Sequence, residues 1–114
     1  MSNKKLIKNW IKTLKSGKYK KGTKFLRTDN QFCCLGVLCD IEAPDKWEGA
    51  YDHISHNKQT TIPSFKYTNE YGLSKDDIVL LCRLNDGNST WTKVIKYLEK
   101  ITGPKKKKNV KTNS

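Results

Sequence analysis

The chain has no apolar run approaching the about 20 residues that a membrane-spanning helix requires. Its opening stretch, MSNKKLIKNWIK, breaks every apolar pair with charge, so it does not read as a secretory signal. A membrane protein and an exported one are thereby set aside, and the expected location is the cytoplasm. The four cysteines are badly spaced for chemistry: Cys33 and Cys34 are adjacent, Cys39 follows, and Cys82 is distant. That set, with His53 and His56 in a polar stretch, lacks the paired spacing of a structural zinc site, so no metal and no cofactor is expected. In a reducing compartment the thiols are expected to be free, mostly buried and structural. A phosphate-cradling G-x-x-x-x-G-K-[ST] loop is also missing. Carboxylate pairs suited to acid–base work are missing too, since Asp76–Asp77 reads as helix-start chemistry and Asp86 as part of a turn. The chain is therefore expected not to be an enzyme.

A further lack is the most informative. No acidic residue occurs before Asp29, whereas residues 1–28 hold nine Lys and Arg27. Residues 105–114 add five Lys and again no acid. Of the formal net charge of +12, these two ends contribute +10 and +5, which leaves −3 for everything between. Such asymmetry draws phosphate-bearing partners to the ends of the chain.

What is present suits one compact domain of α+β class, mainly α-helical. Residues 1–103 are expected to fold with three to five helices and a short strand or hairpin, followed by a disordered Lys-rich tail at 104–114. Leu6, Ile7, Trp10, Ile11 and Leu14 form one helical stripe that Ser16–Gly17 ends. The two-glycine loop GKYKKG follows. Residues 23–28 suggest a strand with Phe25 inward, closed by Asp29–Asn30. Phe32–Ile41 is the most apolar segment; its three-residue spacing fits a buried helix, though periodicity alone leaves a strand open. Residues 42–61 read as the longest loop, anchored by Trp47 or Tyr51. A helical turn should then carry Phe65, Tyr67 and Tyr71 to Gly72. Ser74 and Asp77 form a capping box for a helix reaching about Leu84. Asn85–Asp86–Gly87–Asn88 signals a turn, and Ser89 should cap a last helix bearing Trp91, Val94, Ile95, Leu98 and Ile101.

Binding chemistry concentrates after the first helix. Lys18, Lys21, Lys24 and Arg27 could neutralise phosphates, and Tyr19 could stack on a base. Asn85 or Asp86 could read a base edge, with the Asp86 carboxylate needing cations to offset it. A solvated basic face is the plainer account of any lysine run. Cys33 or Cys34 at a helix start, with His53 or His56 as base, has only residue type in its favour.

Three segments, SGKY (Ser16–Tyr19), CCLGVLCD (Cys33–Asp40) and LND (Leu84–Asp86), lie ahead of a terminal amphipathic helix. In these the chain resembles a widespread family of small phage proteins, over residues 3–101. It is similar, further, to the family connected with phage evasion of nucleotide-signalling immunity. Members of that family act as sponges for cyclic dinucleotides such as those of CBASS defence. The resemblance implies a homo-oligomer that sequesters a cyclic di- or trinucleotide without cleaving it. Two other readings are a DNA- or RNA-binding accessory protein that uses the basic ends, and an inhibitor docking on an acidic host protein.

Overall fold

The computed structural model describes residues 3–50 and 54–103. Tyr51, His53 and the whole Lys-rich tail lie outside the described residues. Among the described residues, five helices surround one core: α1 (Lys4–Lys15), α2 (Cys34–Glu42), α3 (Phe65–Glu70), α4 (Lys75–Asp86) and α5 (Thr92–Thr102). The same residues hold five two-residue strands, namely β1 (Lys20–Lys21), β2 (Arg27–Thr28), β3 (Gln31–Phe32), β4 (Trp47–Glu48) and β5 (Ser55–His56). The protein is a small single α+β domain, mainly helical. Among the described residues, no helix is long and apolar enough to cross a membrane.

The helical stripe of α1 buries Ile7, Trp10, Ile11 and Leu14 and leaves its lysines outside. Asn3 starts the helix by accepting from Leu6 N–H, and Gly17, with φ of 78°, leads the chain away. α1 packs between α2 and α5, and α4 closes the bundle against both of those. α2 is therefore central, which is why its burial runs unbroken from Cys34 to Cys39. This settles the ambiguity of the CCLGVLCD segment: it is a helix, but one that begins after Phe32. Phe32 belongs to β3, and Cys33 is the cap, its Sγ accepting from Gly36 N–H at 3.3 Å.

β1, β3 and β2 form a small sheet in that order, with β1 parallel and β2 antiparallel to β3. The Asp29–Asn30 turn joins β2 to β3 as a tight hairpin, with Asp29 at φ 53°. Phe25 does not face inward as expected. It is exposed, and Leu26 is the fully buried residue. Backbone pairing decides this: Leu26 N–H donates to Thr60, and its carbonyl accepts from Cys33 N–H.

Segment 42–61 is less loop-like than its polarity suggests. Glu42 completes α2, Pro44–Lys46 is a single 3-10 turn, and β4 and β5 pair antiparallel. Trp47 anchors it as expected, and His56 is buried beside it. α4 continues through Asn85 and Asp86 to Gly87, two residues past its expected end. Ser89 does not cap α5. Trp91 occupies that position, held there by its ring's place in the core.

Both halves of the Ser74–Asp77 capping box are made, and Tyr97 of α5 donates to the same Asp77 carboxylate. Burial opposes the charge on Asp77, yet the hydrogen bonds from Tyr97 and Ser74 outweigh it and lower its pKa from 3.8. A carboxyl whose folded pKa is depressed stabilises the fold above its unfolded pKa, and that contribution disappears as pH falls through the folded value. Urea midpoints should therefore fall below about pH 4. An Asp77→Asn variant should lose part of that slope; an identical slope in both proteins would refute this role.

Candidate functional site

The residues flagged for binding fall into two groups, which the fold joins. The first surrounds Phe32. Sheet register places Lys21 and Arg27 opposite Phe32 on either side, from β1 and β2. The Arg27 guanidinium lies 4.9 Å from the Phe32 ring centroid and 5.4 Å from that of Trp47, and its Nε donates to Asp29 O at 2.7 Å. The Tyr19 ring meets Phe32 edge-on at 4.9 Å, with Lys18 5.5 Å from its centroid. Phe32 in turn meets Trp47 at 5.8 Å, and Trp47 meets His56 at 4.7 Å. Lys18, Tyr19, Lys21 and Arg27 thus gather around Phe32, with the Lys18 and Arg27 cations set over rings and Lys21 beside Phe32 by strand register.

Arg27 is the best-placed of these. Stacking and the Asp29 contact hold the side chain in one geometry and engage Nε, so its orientation is fixed before any anion arrives. Tyr19 is held differently. Its hydroxyl donates to Asp40 Oδ2, while Trp47 Nε1 donates to Oδ1 of the same carboxylate at 3.0 Å. Burial, then the Asp40 hydrogen bond and charge, push the Tyr19 hydroxyl far above its ordinary pKa. Tyr19 is half-buried, so only the exposed part of its ring remains for a base. Among the described residues the one ion pair is Lys15–Glu99, so Lys18, Lys20, Lys21, Lys24 and Arg27 have no carboxylate partner there.

The second group sits beneath the loop. Asn85 is 1% exposed, and its amide is fully engaged. Oδ1 accepts from Cys34 N–H at 3.0 Å and from Trp91 Nε1 at 2.8 Å, while Nδ2 donates to Gly22 O and to Asp86 Oδ1, each at 3.0 Å. The expectation that Asn85 reads a base edge is corrected on this point: its edge is spent on four protein groups in a buried position. Asp86 Oδ1 also accepts from Lys24 N–H at 2.9 Å. That bond holds Lys24 at φ 71°, a left-handed conformation costly to a residue with a side chain. Asp86 thus fixes the shape of the cationic loop through its backbone.

Hydrogen bonds therefore join three segments distant in sequence: Tyr19 of SGKY to Asp40 of CCLGVLCD, and Asn85 of LND to Cys34 of CCLGVLCD. Sequence reasoning did not single out Phe32, Trp47 and His56 as part of this face. The hairpin turn at Asp29–Asn30 was the available signal for Phe32, because it sets Phe32 opposite Arg27. Nothing local pointed to Trp47 or His56, since β4 and β5 are only two residues each.

The cysteines are free, with Cys33, Cys34 and Cys39 buried and Cys82 half-buried. Burial pushes the Cys33 thiol up to about 12 and raises Cys34 and Cys39 as well. The helix start does not offset this, so Cys33 and Cys34 carry protons at neutral pH and are poor nucleophiles. His56 is fully buried, with Nε2 2.8 Å from Ala43 O, and His53 lies outside the described residues. Among the described residues, no group of three or more His, Cys, Asp or Glu is placed to hold a metal ion.

No curated protein and no solved structure matches the chain. A family model described as a domain of unknown function, DUF8296, matches residues 2–74, from the start of α1 to the Ser74 cap of α4. That span holds Tyr19, the cationic sheet and all of α2, and the chain accordingly belongs to the DUF8296 family.

Proposed function

We propose that this protein is a phage immune-evasion factor of the host cytoplasm, a homo-oligomer that binds and sequesters a cyclic di- or trinucleotide defence signal without cleaving it. The observation that carries the reading is the register of Lys21 and Arg27 on either side of Phe32, with Lys18 and Tyr19 beside them. A cyclic nucleotide presents phosphates and flat bases within one small ring. Cations fixed over aromatic rings suit both parts at once. Arg27 and Lys21 would meet phosphates, Lys18 would add a third cation, and the exposed edge of the rings would meet a base. Lys24 would contribute charge from the loop, and Asp86 would hold that loop in shape.

Calorimetric titration with cyclic di- and trinucleotides, followed by heat release and recovery of the ligand, tests the reading. Intact ligand is expected back. The combined change Lys18→Gln, Lys21→Gln and Arg27→Gln should weaken binding by about 100-fold, since each tenfold corresponds to about 1.4 kcal/mol. Thermal melts of the same variant separate lost contact from lost packing at Arg27. Unaltered affinity in a folded triple variant would remove the site, and degraded ligand would remove the sponge.

A second reading has its own observation. Lys5, Lys8 and Lys12 on α1 and Lys93, Lys96 and Lys100 on α5 are all exposed, and these two helices pack together. A polymeric nucleic acid could lie along such a surface. It would show affinity that grows with polymer length and falls steeply with salt. A cyclic nucleotide on the Phe32 face would show neither to that degree.

A further inference from the structure

The cation-bearing strands β1 and β2 are not neighbours: β3 lies between them, and Lys21 and Arg27 both stand opposite its Phe32. Residues 22–26 therefore carry the chain across that end of the sheet, over about 10 Å, which is two strand spacings. Phe25 sits on the crossing. Its side chain is 40% exposed, whereas Phe32 is 8% exposed and Tyr19 and Trp47 are half-buried. Among the described rings that accompany the cations, Phe25 is the one open to solvent.

The backbone around this ring is held closely. Gly22 N–H donates to Phe32 O at 2.7 Å, Lys24 N–H to Asp86 Oδ1 at 2.9 Å, Phe25 N–H to Thr23 O at 2.8 Å and Leu26 N–H to Thr60 O at 2.7 Å. Leu26 takes the buried position of the loop and Phe25 the exposed one. Lys24 is held at φ 71°, a conformation that glycine adopts freely and lysine does not. Strain of this kind persists only where the surroundings impose it, and it concentrates at ligand-binding segments. Its product here is a cation and an open ring, adjacent in the chain, on the loop that joins Lys21 to Arg27.

We infer that Phe25 is the residue on which a nucleobase of the bound ligand stacks, with Lys24 supplying charge beside it. The inference rests on the proposed function and sharpens its base contact, which passes from the half-buried Tyr19 to Phe25. Every nucleobase has a π-face, and the Asn85 amide that could have read a base edge is spent on protein groups. Phe25 therefore accepts adenine and guanine alike, and selectivity among ligands comes from the spacing of their phosphates across Lys21, Lys24 and Arg27.

Calorimetric titration of the full chain with cyclic di-AMP, cyclic di-GMP and cyclic tri-AMP, together with proton NMR of the ligand, is the test. For whichever of these the wild type binds, Phe25→Leu, apolar but without a ring, should weaken affinity at least about tenfold, and Phe25→Tyr should retain it. Base protons should move upfield with the wild type and Phe25→Tyr, and stay near their free positions with Phe25→Leu. The two dinucleotides should differ in affinity by less than about tenfold. Phe25 is exposed and outside the buried core, so thermal melts of both variants should stay within a few degrees of the wild type. Wild-type affinity in Phe25→Leu, or equal loss in both variants, would overturn the inference and leave the proposed function standing. A wild type that binds none of the three ligands would overturn both.

Discussion

Gly36→Ala is expected to destabilise the protein by about 3 kcal/mol or more, at the upper end of what overpacking of a core costs. A Cβ at this position would lie 1.8 Å from Leu26 O and 2.7 Å from its carbonyl carbon. The obstacle is backbone, so no side-chain rotamer can relieve the clash. α2 would have to retreat from Leu26, yet the Leu26 carbonyl also accepts from Cys33 N–H at the first turn of α2. Retreat would break that bond and loosen the buried run from Cys34 to Cys39. For a domain of this size the melting temperature should fall by about 10 °C or more. A Gly36→Ala protein that melts with the wild type would show that α2 and residue 26 are not in close contact.

The second large effect is expected at Asn85. Truncation to alanine leaves the Cys34 amide, the Trp91 indole N–H and the Gly22 carbonyl without their partner, all three in buried surroundings. Each buried group left unpaired costs about 1–3 kcal/mol, so a loss of about 3–5 kcal/mol is expected. Asn85→Asp is the sharper probe. It keeps an acceptor for Cys34 and Trp91 but aims a carboxylate at the Gly22 carbonyl and at Asp86, so it too should destabilise strongly. Urea unfolding with an unchanged slope but a lower midpoint would report both effects. Full stability in Asn85→Ala, together with weakened nucleotide binding, would restore Asn85 to direct ligand contact and refute its structural role.

These two residues also show how far the sequence could be read. A glycine at position 36, inside an apolar helical run, is itself a local sign of close packing, because it has few other reasons to be there. The neighbour it packs against, Leu26, came only from the fold. At Asn85 the local pattern misled, since Asn–Asp–Gly–Asn is strong turn chemistry. Long-range hydrogen bonds to Cys34, Gly22 and Trp91 satisfy the side chain and let α4 run on through it. Tertiary partners overrode a local propensity worth far less than the buried contacts it opposed.

The sequence by itself determined the elements whose signal is local and periodic: α1 with its Ser16–Gly17 stop, the Ser74–Asp77 start of α4, the apolar face of α5 and the cationic character of residues 18–27. These depend on residues three or four apart along one helix, or on charges that count wherever they fold. Only the tertiary structure decided which of the flagged residues meet. It set Lys21 and Arg27 astride Phe32 through strands two residues long, too short to carry a period of their own. It fixed Tyr19 to Asp40 across 21 residues and Asn85 to Cys34 across 51. Those pairings arise from the closing of the core around α2, and spacing along the chain does not encode them.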